Sequence, residues 1–428
     1  MTSDLRPLAP QDWEPWYEAL RLAYGGAPVP PERRALRAAV AEYDRALGIW
    51  DGGECVATAL SYSFRMAVPG TAREGAREGT AGGGTEPGAG FVPTAAVSMI
   101  GVLPTHRRRG LLTALMRRQL DDIRERGEPL AALTASEPAI YGRYGYGIAS
   151  RQLSLEIDTA RAGLTAPPGG AGIRLRPADP AAAAPACAAV RDRLAPRRPG
   201  ATLRPAAWEP WPLHDPATER GGGSELRCVL AERDGAVTGH ALFHVRPEWQ
   251  HTGPTGTVVL RELEALDPAS VGALWHFVLG IDLTTTVQAF NRPPDEPLLH
   301  LVADPRRLSP RLRDGLHLRL VDVGAALAAR TYRVPVDAVL EVTDPFCPWN
   351  TGRWRLSGDS GGAVCAPTRD AADVSLSVRE LAAAYLGGTP LRELAGAGLV
   401  REVSGGTALA CLSTAFGGGT PPWLAYTF

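Results

Sequence analysis

The residues best suited to chemistry lie between positions 97 and 146 of the 428-residue chain. Arg107-Arg-Arg-Gly110 follows the apolar run Val97–Val102 and Pro104, which ends a strand by removing a ladder donor. Beyond it, apolar residues at 111, 112, 115, 116, 120 and 123 share one helical face, while Arg117, Arg118, Asp121, Asp122 and Glu125 take the other. The junction therefore sets cations and a glycine at a helix N-terminus, where unpaired N–H groups and the positive dipole end favour a phosphate. Taken alone, the arginine run fits a solvated surface equally well. A strand-like Leu130–Thr134 then leads to Ser136, which also reads as a helix N-cap before Pro138, and to Tyr141-Gly-Arg-Tyr144-Gly-Tyr146. No Cys or Ser stands in a nucleophile–base constellation near these motifs, so nothing in them marks covalent, nucleophilic catalysis.

Several elements must position these residues. At roughly 150 residues per domain the length suggests about three domains, and 45% hydrophobic with 21% charged residues is the mixture of a globular protein. The longest apolar stretches, such as Leu274–Ile281, fall far short of the ~20 residues that span a bilayer. A net charge of −1 gives no global positive field for nucleic acid, and all 45 basic residues are arginine. Six scattered cysteines without a C-x-x-C pair, and an N-terminus lacking an apolar signal region, suggest a reduced, cytoplasmic, metal-free protein. Pro69–Gly90 reads as a mobile loop between two strands and Ala162–Gly172 as a linker. Leu5-Arg-Pro-Leu-Ala-Pro10 ahead of a helical pattern recurs as Leu175-Arg-Pro-Ala-Asp-Pro180, and hairpin patterns recur with Asp51-Gly-Gly and Asp234-Gly turns. The order of elements predicts a duplicated α+β domain followed by a third segment with strands near Ala338–Thr343 and Arg353–Ser357 and helices at Val378–Tyr385 and Pro390–Ala395.

Here the sequence resembles the GCN5-related N-acetyltransferase (GNAT) family. Arg107-Arg-Arg-Gly-Leu-Leu112 matches the family's acetyl-CoA signature except for Leu112 at its last position, and Tyr141-Gly-Arg-Tyr-Gly-Tyr146 matches its later aromatic element. VLPTHRRRGLLTALM and LAALTASEPAIYGRYGYGIAS, with LRPAAW at 203–208 and LLHLVADPRRL at 298–308, look like the Eis (enhanced intracellular survival) branch. The resemblance implies a mixed α/β, α+β architecture: a GNAT domain over 1–160, a second, degenerate GNAT-like domain over 173–310, and a sterol-carrier-protein-like domain over 311–428. The second copy's junction, Asp267-Pro-Ala-Ser-Val-Gly272, lacks the arginines, so one acetyl-CoA per chain is expected.

The resemblance also implies site roles. The backbone of Ile100, Gly101 and Val102 would pair with the pantetheine arm, and the amides of Arg107, Arg108, Arg109 and Gly110 would surround the pyrophosphate. Ser136 would contact CoA. Tyr141 would be the general acid for the departing thiolate, with Tyr144 and Tyr146 in packing roles. The base would be the α-carboxylate of Phe428, whose apolar approach Pro422–Phe428 argues against a frayed end. The expected acceptor is a small-molecule amine (an aminoglycoside, polyamine or lysine-type acceptor), with no nucleic-acid or membrane partner, and the chain is expected to form a homo-oligomer, a hexamer. Two departures weigh against polycationic aminoglycosides: the 23–31 segment AYGGAPVPP carries no acid, and the penultimate residue is Thr427. Two other readings are a lipid- or sterol-binding carrier, which would enclose an apolar cavity in 311–428 rather than donate its end to the first domain, and a non-catalytic acyl-CoA-binding regulator.

Overall fold

Alternating and continuous apolar runs build the first sheet around the arginine junction. The computed structural model describes residues 4–70, 90–165 and 172–428. Residues 71–89 of the glycine-rich loop and 166–171 of the expected linker lie outside the described residues. Strand β1 (Asp4–Pro7) is followed by helices α1 (Trp13–Ala23) and α2 (Pro31–Val40). The hairpin β2 (Ala46–Asp51) and β3 (Glu54–Met66) leads on to β4 (Val92–Val102), helix α3 (Leu111–Glu125), β5 (Leu130–Thr134) and the short β6 (Gly147–Ile148). Helix α1 buries Trp13, Trp16, Tyr17 and Leu20, the i, i+3, i+4, i+7 stripe of a helix lying on a sheet. Helix α3 buries Leu115, Met116, Leu120 and Ile123 along one face.

The sheet is completed from distant sequence. Strand Leu316–Leu320 lies between β5 and β6, and Thr202–Leu203 pairs with Arg65 and Met66 at the end of β3. The next strand in sequence after β6, β7 (Arg151–Asp158), pairs instead with Thr284–Arg292 in a separate seven-stranded sheet. One compact unit accordingly comprises the chain up to Ser150 with Arg198–Leu203 and Asp314–Phe428, and the other Arg151–Arg197 with Arg204–Arg313. The second unit repeats the strand–helix opening as Arg174–Ala178 and Pro180–Leu194, and the hairpin as Arg227–Arg233 and Ala236–Arg246.

The C-terminal segment forms a five-stranded sheet with helices, including Val378–Tyr385 and Ala408–Phe416. Its core is continuous with the first sheet: Leu130, Leu316 and Leu318 share one buried cluster with Leu340, Leu376, Leu381 and Phe416. Burying apolar area at about 25 cal/mol per Å² makes a shared core hard to open. Contact is close enough that a Cβ at Gly147 would collide with the backbone of Arg379 and Ala383, so this position admits only glycine.

Candidate functional site

A break in β4 creates the site. Strand β4 pairs with β5 in parallel register only from Thr94–Leu130 to Ala96–Ala132, so 97–102 is left with no ladder partner on that side among the described residues. On its other side the register with β3 slips between Thr58↔Gly101 and Leu60↔Ser98, a bulge that holds Met99 at φ 52. Thr58 Oγ1 donates to the Met99 carbonyl at 2.9 Å and fixes this unusual conformation. The exposed edge of Ile100–Val102 has the geometry to accept an extended ligand arm as an added strand.

Beyond Pro104 the loop turns into α3 with two residues in the left-handed region, Arg108 at φ 62 and the cap Gly110 at φ 81. Gly110 supplies no side-chain cap, so the first-turn N–H groups of α3 are left to another acceptor. Successive amides in such a turn form a concave anion site, with the helix dipole behind it. Arg107 does not project into this concavity as a simple charge. Its guanidinium folds back, donating to the carbonyl of Ala23 at 3.1 Å and of Val102 at 3.4 Å, and so ties the end of α1 to the end of β4.

These pieces line one cavity of about 580 Å³. Ile100, Gly101, Val102, Arg107, Arg108, Gly110, Ser136 and Tyr141 all contribute to its wall, joined by Tyr24, Leu112, Thr113, Glu137 and Tyr144. Arg109 is exposed in the same turn and is not among these wall residues. Ser136 is not a helix cap: the helical turn Pro138–Tyr144 has Glu137 at its N-cap position, without a side-chain cap bond.

Tyr141 sits on that turn, half-buried, edge-on to Tyr146 at 6.0 Å. Burial pushes its phenol well above the ordinary range, with Tyr24, Glu137 and Tyr144 acting in the same direction, so the hydroxyl keeps its proton at neutral pH. Tyr144 hydrogen-bonds Thr113 at 3.3 Å and packs edge-on against Phe346 at 5.0 Å, while Tyr146 is fully buried against Arg319 and Tyr141.

The C-terminus is docked. Ser98 Oγ donates to a carboxylate oxygen of Phe428 at 2.9 Å, and the Phe428 ring meets Phe64 edge-on at 5.4 Å. Upstream, Tyr426 shares a 2.6 Å hydrogen bond with Thr202, Trp423 N–H donates to the Pro199 carbonyl at 2.9 Å, and Arg198 donates to the Pro421 carbonyl at 2.9 Å. The chain's last carboxylate is thereby held on β4 two residues before Ile100. The segment 198–203 that clamps the tail, together with Ser98 and Tyr24, escaped sequence reasoning. Their partners lie tens to hundreds of positions away, and no local spacing marks them.

Family models describe three regions of the chain: an acetyltransferase (GNAT) domain over 4–79 and 84–149, a second acetyltransferase (GNAT) domain over 200–320, and a sterol carrier protein domain over 323–425. An uncharacterised N-acetyltransferase of Streptomyces avermitilis is 53% identical over 428 residues, spanning 100% of both chains. The N-acetyltransferase Eis of Mycobacterium bovis is 34% identical over 390 residues, 89% of this chain and 88% of that protein. Among solved structures, Eis1 from Mycobacterium abscessus matches with a TM-score of 0.80 at 34% identity over 100% of each chain. A GCN5-related N-acetyltransferase from Anabaena variabilis, at 19% identity and a TM-score of 0.82 over 100% of each chain, shares the fold.

Proposed function

The chain belongs to the Eis-like branch of the GCN5-related N-acetyltransferases, an acetyltransferase with two GNAT folds and a sterol-carrier-type domain, and from that premise we propose that it moves the acetyl group of acetyl-CoA directly to a primary amine within a ternary complex. The open edge of Ile100–Val102 supports pairing with the pantetheine arm. The uncapped N-terminus of α3 supports a pyrophosphate site built from the amides of Arg107, Arg108, Arg109 and Gly110, with Ser136 lining the same cavity. When bound, acetyl-CoA supplies an acyl thioester whose sulfur becomes the leaving group.

In the transfer, an N–C bond forms at the amine as the C–S bond breaks. The amine's proton passes to the Phe428 carboxylate, directly or through water, and the Tyr141 hydroxyl offers a hydrogen bond, and finally a proton, to the thiolate. A terminal carboxyl with an ordinary pKa near ~3.5 is a weak base, so it suits an amine already partly deprotonated. The observation that carries this reading is the Ser98–Phe428 hydrogen bond, since it brings the chain's end to the strand whose next residues wall the cavity. The same contact disfavours a lipid-carrier reading, in which the tail would stay with its own segment.

We retain 1–160, 173–310 and 311–428 as functional segments, a cytoplasmic location and a homohexamer within the same reading. The test is a screen of amine acceptors with acetyl-CoA, read as thiol release. Turnover of no amine would end the acetyltransferase proposal for this chain, and light scattering giving a monomer mass would end the oligomer proposal.

A further inference from the structure

The turn that carries Tyr141 is weakly held by its own hydrogen bonds. Glu137 makes no side-chain bond at its N-cap position. At the other end Gly145 N–H donates to the Gly142 carbonyl at 3.1 Å and Tyr146 N–H to the Tyr141 carbonyl at 3.3 Å, both on the long side for N–H···O. Its shape depends on what packs against it.

Two elements of the C-terminal segment close on this turn. Strand Leu316–Leu320 pairs Leu318 with Gly147 and His317 with Ile148, just past it. Gly145 has φ 82, and a Cβ there would run into the guanidinium of Arg319 and come within 2.9 Å of Val378 Cγ1, at the start of helix Val378–Tyr385. A Cβ at Gly142 would meet the Arg379 guanidinium at 3.1 Å. Two guanidinium groups thus fill the space that side chains at 142 and 145 would take.

Only one of these arginines is fixed. Arg379 is exposed, whereas Arg319 is fully buried and donates through Nη2 to Asp344 at 2.5 Å. Asp344 is buried as well and accepts from Asn350 Nδ2 at 2.9 Å and Cys347 N–H at 3.0 Å, so it cannot swing. Arg319 Nε and Nη1 find no oxygen or nitrogen partner among the described residues. A buried ion pair with unmet donors is often no more stable than apolar residues of similar volume, so stability alone does not explain this one. What the pair does supply is a flat, immobile stop against Gly145. The next residue, Tyr146, meets the ring of Tyr141 edge-on at 6.0 Å, which passes that constraint to the side chain on the cavity wall.

We propose that Arg319, held by Asp344, is a positioning residue for acetyl transfer: it sets the 138–146 turn so that the Tyr141 hydroxyl reaches the departing sulfur. The inference rests on the acetyl-transfer reading above. Arg319 touches neither cofactor nor acceptor, and it acts through Tyr141.

A double-mutant cycle with Tyr141→Phe tests it, with acetyl-CoA and lysine, cadaverine or spermidine as substrates and thiol release as the readout. Arg319→Lys keeps the charge that Asp344 needs but loses the planar fork. The neutral pair Arg319→Gln with Asp344→Asn leaves no buried charge unpaired, and so guards against a first variant that does not fold. Each should lower kcat by ~10-fold or more, since ~1 Å of misplacement already costs ~10²-fold. Acetyl-CoA affinity by calorimetry should stay within about twofold of wild type. In the Tyr141→Phe background the same changes should cost less than about twofold, because residues that act through one another are not additive. Wild-type kcat in either folded variant, or an equal loss with and without the Tyr141 hydroxyl, overturns the inference and leaves acetyl transfer intact. A Tyr141→Phe protein as fast as wild type removes the acid and this inference with it. Absence of thiol release with all three amines and a wider amine screen overturns both readings together.

Discussion

The two acetyltransferase folds of this chain present the same element, a helix N-terminus after a strand, in opposite states. In the first, Gly110 caps α3 with no side chain to offer, and Arg108 and Gly110 turn the loop amides outward in left-handed conformations. In the second, Asp267 caps the helix Pro268–Leu279: its carboxylate accepts from Ala269 N–H at 3.1 Å and Ser270 N–H at 3.0 Å, takes the Ser270 hydroxyl at 2.9 Å, and is paired with Arg233 at 3.1 Å. Those hydrogen bonds hold its carboxyl below the usual range against the opposing effect of burial. One N-terminus is open to a phosphate; the other already contains its anion. The difference teaches that two copies can share a strand–helix junction while one fills with a side-chain carboxylate the N–H groups that the other leaves uncapped, because capping and anion binding compete for the same N–H groups.

The contrast is sharpest at the chain's tail, which docks on the first fold, where the proposed base lies. Deleting Phe428, or extending it by a short Gly-Ser tail, is expected to lower kcat by ~10²-fold or more, because even ~1 Å of misplacement costs that much. Acetyl-CoA affinity should survive, and three equal rates would transfer the base role to Glu137 or water. Tyr141→Phe should lower kcat by at least ~10²-fold with little change in acetyl-CoA affinity, the lower range for a positioned acid; steady-state kinetics beside calorimetry separates the two effects.

Gly110→Asp gives the first fold the cap of the second, and calorimetry should find acetyl-CoA affinity down by roughly 10-fold as the carboxylate occupies the N–H groups. The reciprocal change, Asp267→Ala, should cost about 1 kcal/mol of stability through the lost cap and leave the stoichiometry at one acetyl-CoA per chain. A second equivalent appearing on titration would mean that the cap alone separates the copies. Smallest of all, Tyr144→Phe should leave kcat within about twofold of wild type, since the hydroxyl lost is one partner of a single neutral hydrogen bond to Thr113.

Much of this was readable along the chain. The strand-to-helix junction at 107–110, the helix Val378–Tyr385 and the repeated hairpins are all local patterns, set by apolar periodicity and turn residues, and each is found as expected. Ser136 shows the limit of the same reasoning: a serine before a proline suits a cap, yet the turn begins one residue later at Glu137. Tyr141 could be singled out by its motif, but the burial that keeps its phenol protonated comes from neighbours brought together only by folding.

The sequence by itself determined the elements and the chemical inventory: an arginine–glycine turn at a helix start, three tyrosines within six residues, and an apolar chain end. Tertiary structure decided how they are shared out. It put Leu316–Leu320 into the first sheet and Arg151–Asp158 into the second, used 198–203 to clamp the tail, folded Arg107 back onto Ala23 and Val102, and laid the Phe428 carboxylate on Ser98, 330 positions away in sequence. Periodicity and capping act over a few residues, so they are written in the local sequence. Strand exchange and tail docking depend on which buried surfaces match once the cores have formed, and that matching has no fixed spacing along the chain.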